Sequence, residues 1–111
     1  MKAPTLLIFI GLFILSCKPA SEQTAPVEDN AHLGVAQMEI TGNAESQKYF
    51  TEGLLLLHSF EYEDAREQFL KAQEADSTCI MAYWGEAMTH NHTLWQFQEL
   101  EEAQAALNKI G

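Results

Sequence analysis

The spacing of apolar residues between positions 62 and 75 predicts an amphipathic α-helix. Its apolar side chains recur at intervals of three and four residues, which places them on one face of a helix. Acidic residues cluster near the start of this segment and Lys71 lies near its end, as the helix dipole prefers. The apolar face consists of Tyr62, Ala65, Phe69 and Ala72.

A helix is also predicted over residues 44–58, with Asn43 as its N-cap, because an asparagine side chain can accept a hydrogen bond from the first turn. Its apolar residues cover more than one side, a stripe too wide for a helix that packs against a single partner. We therefore expect it to lie between neighbours, with residues 59–61 forming the turn into the next helix. The apolar residues are Tyr49, Phe50, Gly53, Leu54, Leu56 and Leu57.

The remaining segments are shorter and less regular. Residues 31–43 predict an extended arm laid against the first helix, with a short helix as the alternative. A third helix is expected over 80–90, a loop over 91–98, and a fourth helix from about Glu99 to the end of the chain. The apolar residues of that loop are interpreted as a plug that fills the turn, and an exposed Trp95 that anchors a partner is the alternative.

The first 16 residues predict a secretory signal peptide. Lys2 precedes an apolar run that is too short to span a bilayer, where about 20 residues are needed. Residues 14–17, Ile-Leu-Ser-Cys, resemble a bacterial lipobox, which implies that Cys17 becomes lipid-modified and forms the mature N-terminus. An ordinary signal peptide with an incidental Cys17, or an uncleaved anchor, is the alternative. The polar, proline-containing composition of residues 17–30 predicts a disordered tether.

Composition narrows the classes of partner. The 111 residues include 16 Asp and Glu against 6 Lys and Arg, a net charge of −10. Phosphate backbones are repelled by such a chain, so no nucleic-acid partner is expected. Membrane attachment would then depend on acyl chains at Cys17 and not on a basic patch. Lipidation of Cys17 leaves Cys79 without a disulfide partner in the mature chain, and Cys79 is interpreted as a small buried apolar residue.

Two spacings indicate an internal repeat. Tyr49 and Tyr83 are 34 residues apart, as are Gly53 and Ala87. A helix–turn–helix unit of this length is the period of tetratricopeptide repeats. The A-x3-F-x2-A pattern of Ala65, Phe69 and Ala72 recurs at an offset of 38 as Ala103, Leu107 and Ile110.

Residues 44–110 resemble the tetratricopeptide repeat (TPR) family, most closely its exported bacterial members. Three positions depart from the family's usual leucine, tyrosine and proline: Glu52, Leu56 and Ser77. The resemblance implies an all-α fold in which antiparallel helix–turn–helix repeats, over 44–79 and 80–111, form a short right-handed superhelix. Because stacked repeats generally need at least three units, we expect the chain to continue beyond Gly111, or its open face to pair with another subunit.

In the TPR family the first helix of each unit lines a concave groove, and the resemblance implies which residues would bind a partner here. Carried over by the repeat register, they are Gln47, Phe50, Leu54, Leu57, His58, Met81, Trp84, Met88, Asn91 and His92. This set contains no Lys or Arg, which disfavours a clamp for a peptide's C-terminal carboxylate. We expect a groove for an apolar peptide or helix, and packing against a neighbouring repeat or the arm is the alternative.

Sequence motifs for chemistry are lacking. The chain has no glycine-rich phosphate loop, no G-x-S-x-G, no H-E-x-x-H and no C-x-x-C-H. His90 and His92, with His58 as a third ligand, would suit Zn or Cu. No carboxylate or thiol stands at a matching ligand spacing, so we expect neither a metal nor a cofactor.

The sequence therefore predicts a non-enzymatic scaffold for protein–protein interaction, held in the bacterial cell envelope as a lipoprotein. Lys18 follows the lipidated cysteine where an aspartate would retain a lipoprotein at the inner membrane, which favours the outer membrane. The alternative is a metal-binding or enzymatic envelope protein whose active part lies beyond Gly111.

Overall fold

The computed structural model describes residues 31–111, so the predicted signal peptide, Cys17 and the tether lie outside the described residues. The described part is mostly helical, as predicted. Its helices are α1 (Ala44–His58), α2 (Tyr62–Ala75), α3 (Ile80–Met88) and α4 (Leu100–Leu107). Strands β1 (Asn91–His92) and β2 (Phe97–Gln98) pair antiparallel, and 3-10 turns cover Ala31–Leu33 and Thr93–Trp95. No helix within 31–111 is long and apolar enough to cross a lipid bilayer.

α1 and α2 begin and end at the residues that the sequence predicts. Asn43 caps α1, because its side-chain oxygen accepts a hydrogen bond from the backbone N–H of Ser46 at 2.8 Å. The same residue closes the helix pair. Its Nδ2 donates to the carbonyl of Ala75 at 2.7 Å, and its backbone N–H donates to Asp76 Oδ2 at 2.9 Å. The start of α1 is thereby tied to the end of α2, and the two helices run antiparallel.

Phe69 of α2 is the centre of the core. Its ring is fully buried and lies 5.7 Å from the ring of Phe50 in α1, centroid to centroid. Gly53 in α1 faces the same ring, so that a Cβ added there would lie 2.9 Å from it, and Gly85 in α3 is closer still. The two glycines therefore let α1 and α3 approach one side chain. The predicted core residues are all buried: Gly53, Ala65, Phe69 and Ala72.

The N-terminal arm lies along α1. Residues 34–40 form neither helix nor strand, as expected for an extended arm. The side chains of Leu33 and Ile40 pack against the core. Gln47 fastens the arm to α1, because its Oε1 accepts from the backbone N–H of Ile40 at 3.0 Å and its Nε2 donates to the Met38 carbonyl at 2.9 Å. α1 is thus covered by the arm, α2 and α3, which explains its wide apolar stripe.

The segment after α3 departs from the prediction. α3 ends at Met88, two residues early, and the predicted loop 91–98 contains the hairpin β1–β2. The expected apolar plug is wrong, because Leu94, Trp95 and Phe97 are exposed by 62%, 63% and 53%. β1 and β2 pair with each other, and the hairpin leaves these side chains on the surface of the domain.

α4 does not repeat the core pattern of α2. Of the three predicted counterparts, Ala103 is half-buried, whereas Leu107 and Ile110 are exposed. The buried residue is Ala106. The reason is that α4 packs against α3 and has no further helix of the described chain on its other side. The helix also ends at Leu107, short of the predicted end of the chain.

Gly85→Ala is expected to destabilise the protein by about 1–3 kcal/mol, because the new methyl group overlaps the Phe69 ring from a rigid helix. This cost outweighs the gain of about 1 kcal/mol from the better helix propensity of alanine. Gly53→Ala should cost less, since its approach to Phe69 is less close. Urea denaturation of both variants checks the order.

A double-mutant cycle with Phe69→Leu provides the control. If Gly85 is required by the ring, the cost of Gly85→Ala shrinks when the ring is gone. Glu102→Ala, at an exposed position of α4, should change the free energy of unfolding by less than about 0.5 kcal/mol. A Gly85→Ala variant as stable as the wild type would contradict this account of the core.

Candidate functional site

α1 and α3 form the two walls of an open cleft of ≈ 310 Å³, which we call the helix cleft. Leu57 and His58 come from the last turn of α1, and Trp84 and Met88 come from α3. The floor and end of the cleft are closed by residues that follow these helices. The complete lining is Leu57, His58, Phe60, Tyr62, Trp84, Met88, Asn91 and Thr93.

Half of the residues predicted to line a groove meet in the helix cleft. They are Leu57, His58, Trp84, Met88 and Asn91. Trp84 keeps 36% of its surface exposed although it is a large apolar side chain on a helix. Tryptophan is enriched among the residues that dominate binding at protein interfaces, and its position in a cleft makes Trp84 a candidate contact for a partner.

The other predicted groove residues lie elsewhere. Phe50 is wrongly predicted, because its ring is fully buried beside Phe69 and has no surface for a partner. Gln47 is engaged with the arm through its side-chain amide. Leu54 and Met81 are half-buried against the core. His92 lies in a second cleft, described next, because β1 carries it past the end of α3.

The second cleft, which we call the hairpin cleft, has a volume of ≈ 530 Å³ and lies between the start of α2 and the hairpin. One side is formed by residues 60–64 and the other by three aromatic residues of the hairpin. It shares Phe60 and Tyr62 with the helix cleft. The complete lining is Phe60, Glu61, Tyr62, Glu63, Asp64, His92, Trp95 and Phe97.

The aromatic rings of the hairpin cleft stand in two orientations. Tyr62 and His92 are stacked, with centroids 4.5 Å apart and planes inclined by 8°. Trp95 stands nearly perpendicular to both, 6.0 Å from Tyr62 and 6.5 Å from His92. Phe97 is tilted by 64° against His92 at 5.8 Å, and Phe60 by 65° against Tyr62 at 6.4 Å. Perpendicular rings around an opening present both ring faces and ring edges to whatever enters it.

Backbone strain within 31–111 is concentrated beside this cleft. The non-glycine residues with positive φ in the described chain are Phe60, at 63°, and Gln96, at 51°. Phe60 lines the cleft and Gln96 stands between Trp95 and Phe97. An aromatic residue in the left-handed region is uncommon, and such residues cluster at binding and switch sites. The turn into α2 therefore places a ring in the cleft where a glycine would be less strained.

A polar network beneath the hairpin holds it against the helices. The backbone N–H of Glu99 donates to the His90 carbonyl at 2.9 Å, and His90 Nδ1 donates to Glu99 Oε2 at 2.8 Å. Arg66 of α2 reaches the same carboxylate oxygen at 3.7 Å and donates from Nε to Thr89 Oγ1 at 2.9 Å. His92 Nε2 donates to the Thr89 carbonyl at 3.0 Å, which fixes the imidazole face that stacks on Tyr62.

A second polar contact connects the end of the chain to α2. Glu86 of α3 is buried, and its two carboxylate oxygens accept hydrogen bonds from Lys109 Nζ and from Gln73 Nε2, both at 2.6 Å. A buried carboxylate needs such partners to offset the loss of its hydration. Lys109 follows α4, so this pair fixes the position of α4 on α3.

Cys79 and the three histidines considered as metal ligands are buried or hydrogen-bonded within the fold. Burial raises the pKa of the Cys79 thiol, which keeps it protonated and a poor nucleophile. The three histidines considered as metal ligands each bond elsewhere: His58 Nδ1 to the Leu54 carbonyl at 2.8 Å, His90 to Glu99 and His92 to Thr89. Within residues 31–111 no three His, Cys, Asp or Glu side chains come together as a metal site would require.

No protein-family model, curated protein or solved structure matches this chain. The two clefts are therefore defined only by the contacts within residues 31–111. Sequence reasoning missed Phe60, Tyr62 and Phe97, which it treated as turn, core and plug residues. Their only signal in the sequence is the density of aromatic residues in two short segments, and the approach of these segments to each other depends on the tertiary fold.

The polar network predicts a pH dependence of stability. The hydrogen bond from His90 lowers the pKa of Glu99 below its ordinary value, with Arg66 adding to the effect. A carboxyl group with a depressed folded-state pKa stabilises the fold above its unfolded-state pKa, about 4.3, and this contribution is lost as the pH falls through the folded-state value. We therefore expect wild type to exceed Glu99→Gln in stability at pH 6.

Urea denaturation at pH 6, 5, 4 and 3 measures this difference, which should shrink below about pH 4.3. Glu101→Gln removes the same charge from the neighbouring first turn of α4 and serves as the control. A Glu99→Gln difference that stays constant from pH 6 to pH 3 would contradict the role of the hydrogen bond.

Proposed function

We propose that this chain is a scaffold of tetratricopeptide-repeat type whose helix cleft binds a peptide or helix of a partner protein. In this reading the pairs α1–α2 and α3–α4 are two successive repeats, over 44–79 and 80–111, in a short right-handed superhelix. The observation that carries the proposal is that α1 and α3, the first helices of the two pairs, together form the walls of one open apolar cleft.

The lining of the helix cleft favours an apolar ligand. Trp84 and Met88 lie one turn apart on α3 and face Leu57 across the cleft. No Lys or Arg belongs to the lining, so a peptide's terminal carboxylate has no cationic partner there. Large, partly exposed aromatic and thioether side chains are typical anchors for an amphipathic helix or an extended apolar segment.

We further propose that the protein is attached to the outer membrane of a bacterial envelope through lipid on Cys17. The proposal rests on the lipobox-like segment 14–17 and on Lys18. The 16 acidic residues of the whole chain outnumber its 6 Lys and Arg, so attachment to an anionic membrane would depend on the acyl chains.

The anchor predicts that wild type incorporates a palmitate analogue during growth and sediments with the membranes. Cys17→Ser removes the acceptor thiol and should abolish the label. Cys79→Ser is the matched control, because it removes the other cysteine and should keep the label. Equal labelling of wild type and Cys17→Ser would show that the lipid is not on this residue.

The helix cleft predicts that a photo-crosslinking residue at position 84 captures a partner in living cells. A matched control is position 70 on α2, because Leu70 and Trp84 are both large apolar residues with 36% of their surface exposed. Leu70 lies outside both clefts. We expect defined crosslinked bands from position 84 and none from position 70.

A competing substitution sharpens this test. Met88→Glu places a charge in the apolar lining and should weaken the crosslink from position 84 at least tenfold, which corresponds to about 1.4 kcal/mol. Circular dichroism checks that the fold survives. Identical bands from positions 84 and 70, or bands that Met88→Glu leaves unchanged, would remove the helix cleft as the binding surface.

A further inference from the structure

The hairpin cleft combines exposed aromatic faces with an acidic rim. Trp95, Phe97 and Phe60 leave 63%, 53% and 46% of their surface exposed within residues 31–111. Tyr62 and His92 form the floor between them as a stacked pair. Exposed aromatic rings that meet at steep angles around one opening resemble the walls of an aromatic cage, the arrangement that attracts an organic cation.

The charge of the rim points to the same kind of ligand. Glu61, Glu63 and Asp64 all line the hairpin cleft. No Lys or Arg belongs to the lining, and none of the ion pairs within residues 31–111 involves these three acids. The dipole of α2 favours acidic residues in its first turn and so accounts for Glu63 and Asp64. It does not account for the exposed aromatic rings beside them. An anionic or uncharged ligand would leave the acids without a counter-charge.

We propose that the hairpin cleft binds the cationic side chain of an arginine or lysine in the same partner segment whose apolar residues occupy the helix cleft. This inference rests on the proposed function and deepens it. The aliphatic stem would lie against Trp95 and Phe97, with the cationic head over a ring face and near the carboxylates.

The two clefts adjoin each other, so that one segment of a partner protein can bind both. Both are lined by Phe60 and Tyr62, so an apolar side chain in one cleft and a basic side chain in the other would lie beside the same two residues. The partner is thereby defined as a segment in which a basic residue follows or precedes an apolar cluster. A purely apolar helix would complement the helix cleft but would place no positive charge near the acidic residues of the hairpin cleft.

Titration with single capped amino acids tests the cation site without the rest of the partner. N-acetyl-lysine methylamide, its arginine counterpart and the uncharged isostere N-acetyl-norleucine methylamide are added to the full chain in a non-ionic detergent at pH 8. The backbone amide resonances of residues 60–64 report binding in every variant. We expect saturable shifts with millimolar dissociation constants for the two cations, and at least tenfold weaker binding of norleucine.

Three variants locate the binding. Trp95→Ala and the triple variant Glu61→Gln, Glu63→Gln, Asp64→Asn should each weaken the lysine and arginine probes at least tenfold. The double variant Glu101→Gln, Glu102→Gln is the matched control, because it removes acids from the first turn of α4, and neither residue lines the hairpin cleft. It should leave binding of the lysine and arginine probes unchanged.

The outcomes separate the two proposals. Norleucine binding as tightly as lysine, or an effect of Glu101→Gln, Glu102→Gln as large as that of the triple variant, would overturn the cation site. No saturable shift with any cation would overturn it as well. Each of these three results leaves the crosslink from position 84 as an independent measure of the helix cleft. If the lysine and arginine probes bind but position 84 crosslinks to no partner, the proposed scaffold function is refuted and the cation site in the hairpin cleft stands.

Discussion

The burial of one phenylalanine ring against two glycines sets the geometry of the described domain. Phe69 projects from α2 into the space between α1 and α3, and both of these helices present a glycine to it, at Gly53 and Gly85. A side chain at either glycine would push its helix away from α2. The distance between α1 and α3 is therefore determined by the thickness of one aromatic ring, and the cleft between these helices depends on that distance.

Hydrogen bonds and ion pairs help to position the segments that the apolar core does not include. The apolar cluster fixes the first three helices, and hydrogen bonds and ion pairs add to the packing that holds the hairpin and α4. The carboxylate of Glu99 connects the hairpin to Arg66 of α2, and the carboxylate of Glu86 connects Lys109 to Gln73. Directional contacts of this kind orient a segment more narrowly than apolar packing does. The hairpin can then expose its aromatic residues and still hold a defined position.

The two clefts follow from this division of roles. One is made by helices whose separation the core determines, and the other by a turn and a hairpin whose orientation the polar network determines. They meet at Tyr62, which is buried at the first position of α2 and contacts both the Phe60 turn and the hairpin. A partner segment that lies beside Tyr62 would contact the helix cleft and the hairpin cleft at the same time. This common border is the physical basis for assigning an apolar and a cationic part to a single ligand.

The sequence by itself determined the elements that depend on local periodicity. The bounds of α1 and α2, the Asn43 cap and the burial of Ala65 and Phe69 all follow from apolar spacing and capping chemistry, which act over one or two helical turns. Tertiary structure alone decided which surfaces remain open. Gln47 and Phe50 share one helix with Leu57, yet the arm takes the first and Phe69 covers the second.

The same reason explains the hairpin cleft. Its walls come from segments about 30 residues apart in the sequence, and each segment taken alone is an unremarkable turn or loop with several aromatic residues. Burial and exposure are properties of the packed chain, because they depend on which neighbour arrives at a given face. The periodicity of apolar residues in the sequence predicts that one face of a helix is apolar. Only the arrangement of the arm, the helices and the hairpin decides whether that face is buried in the core or stays exposed as a binding surface.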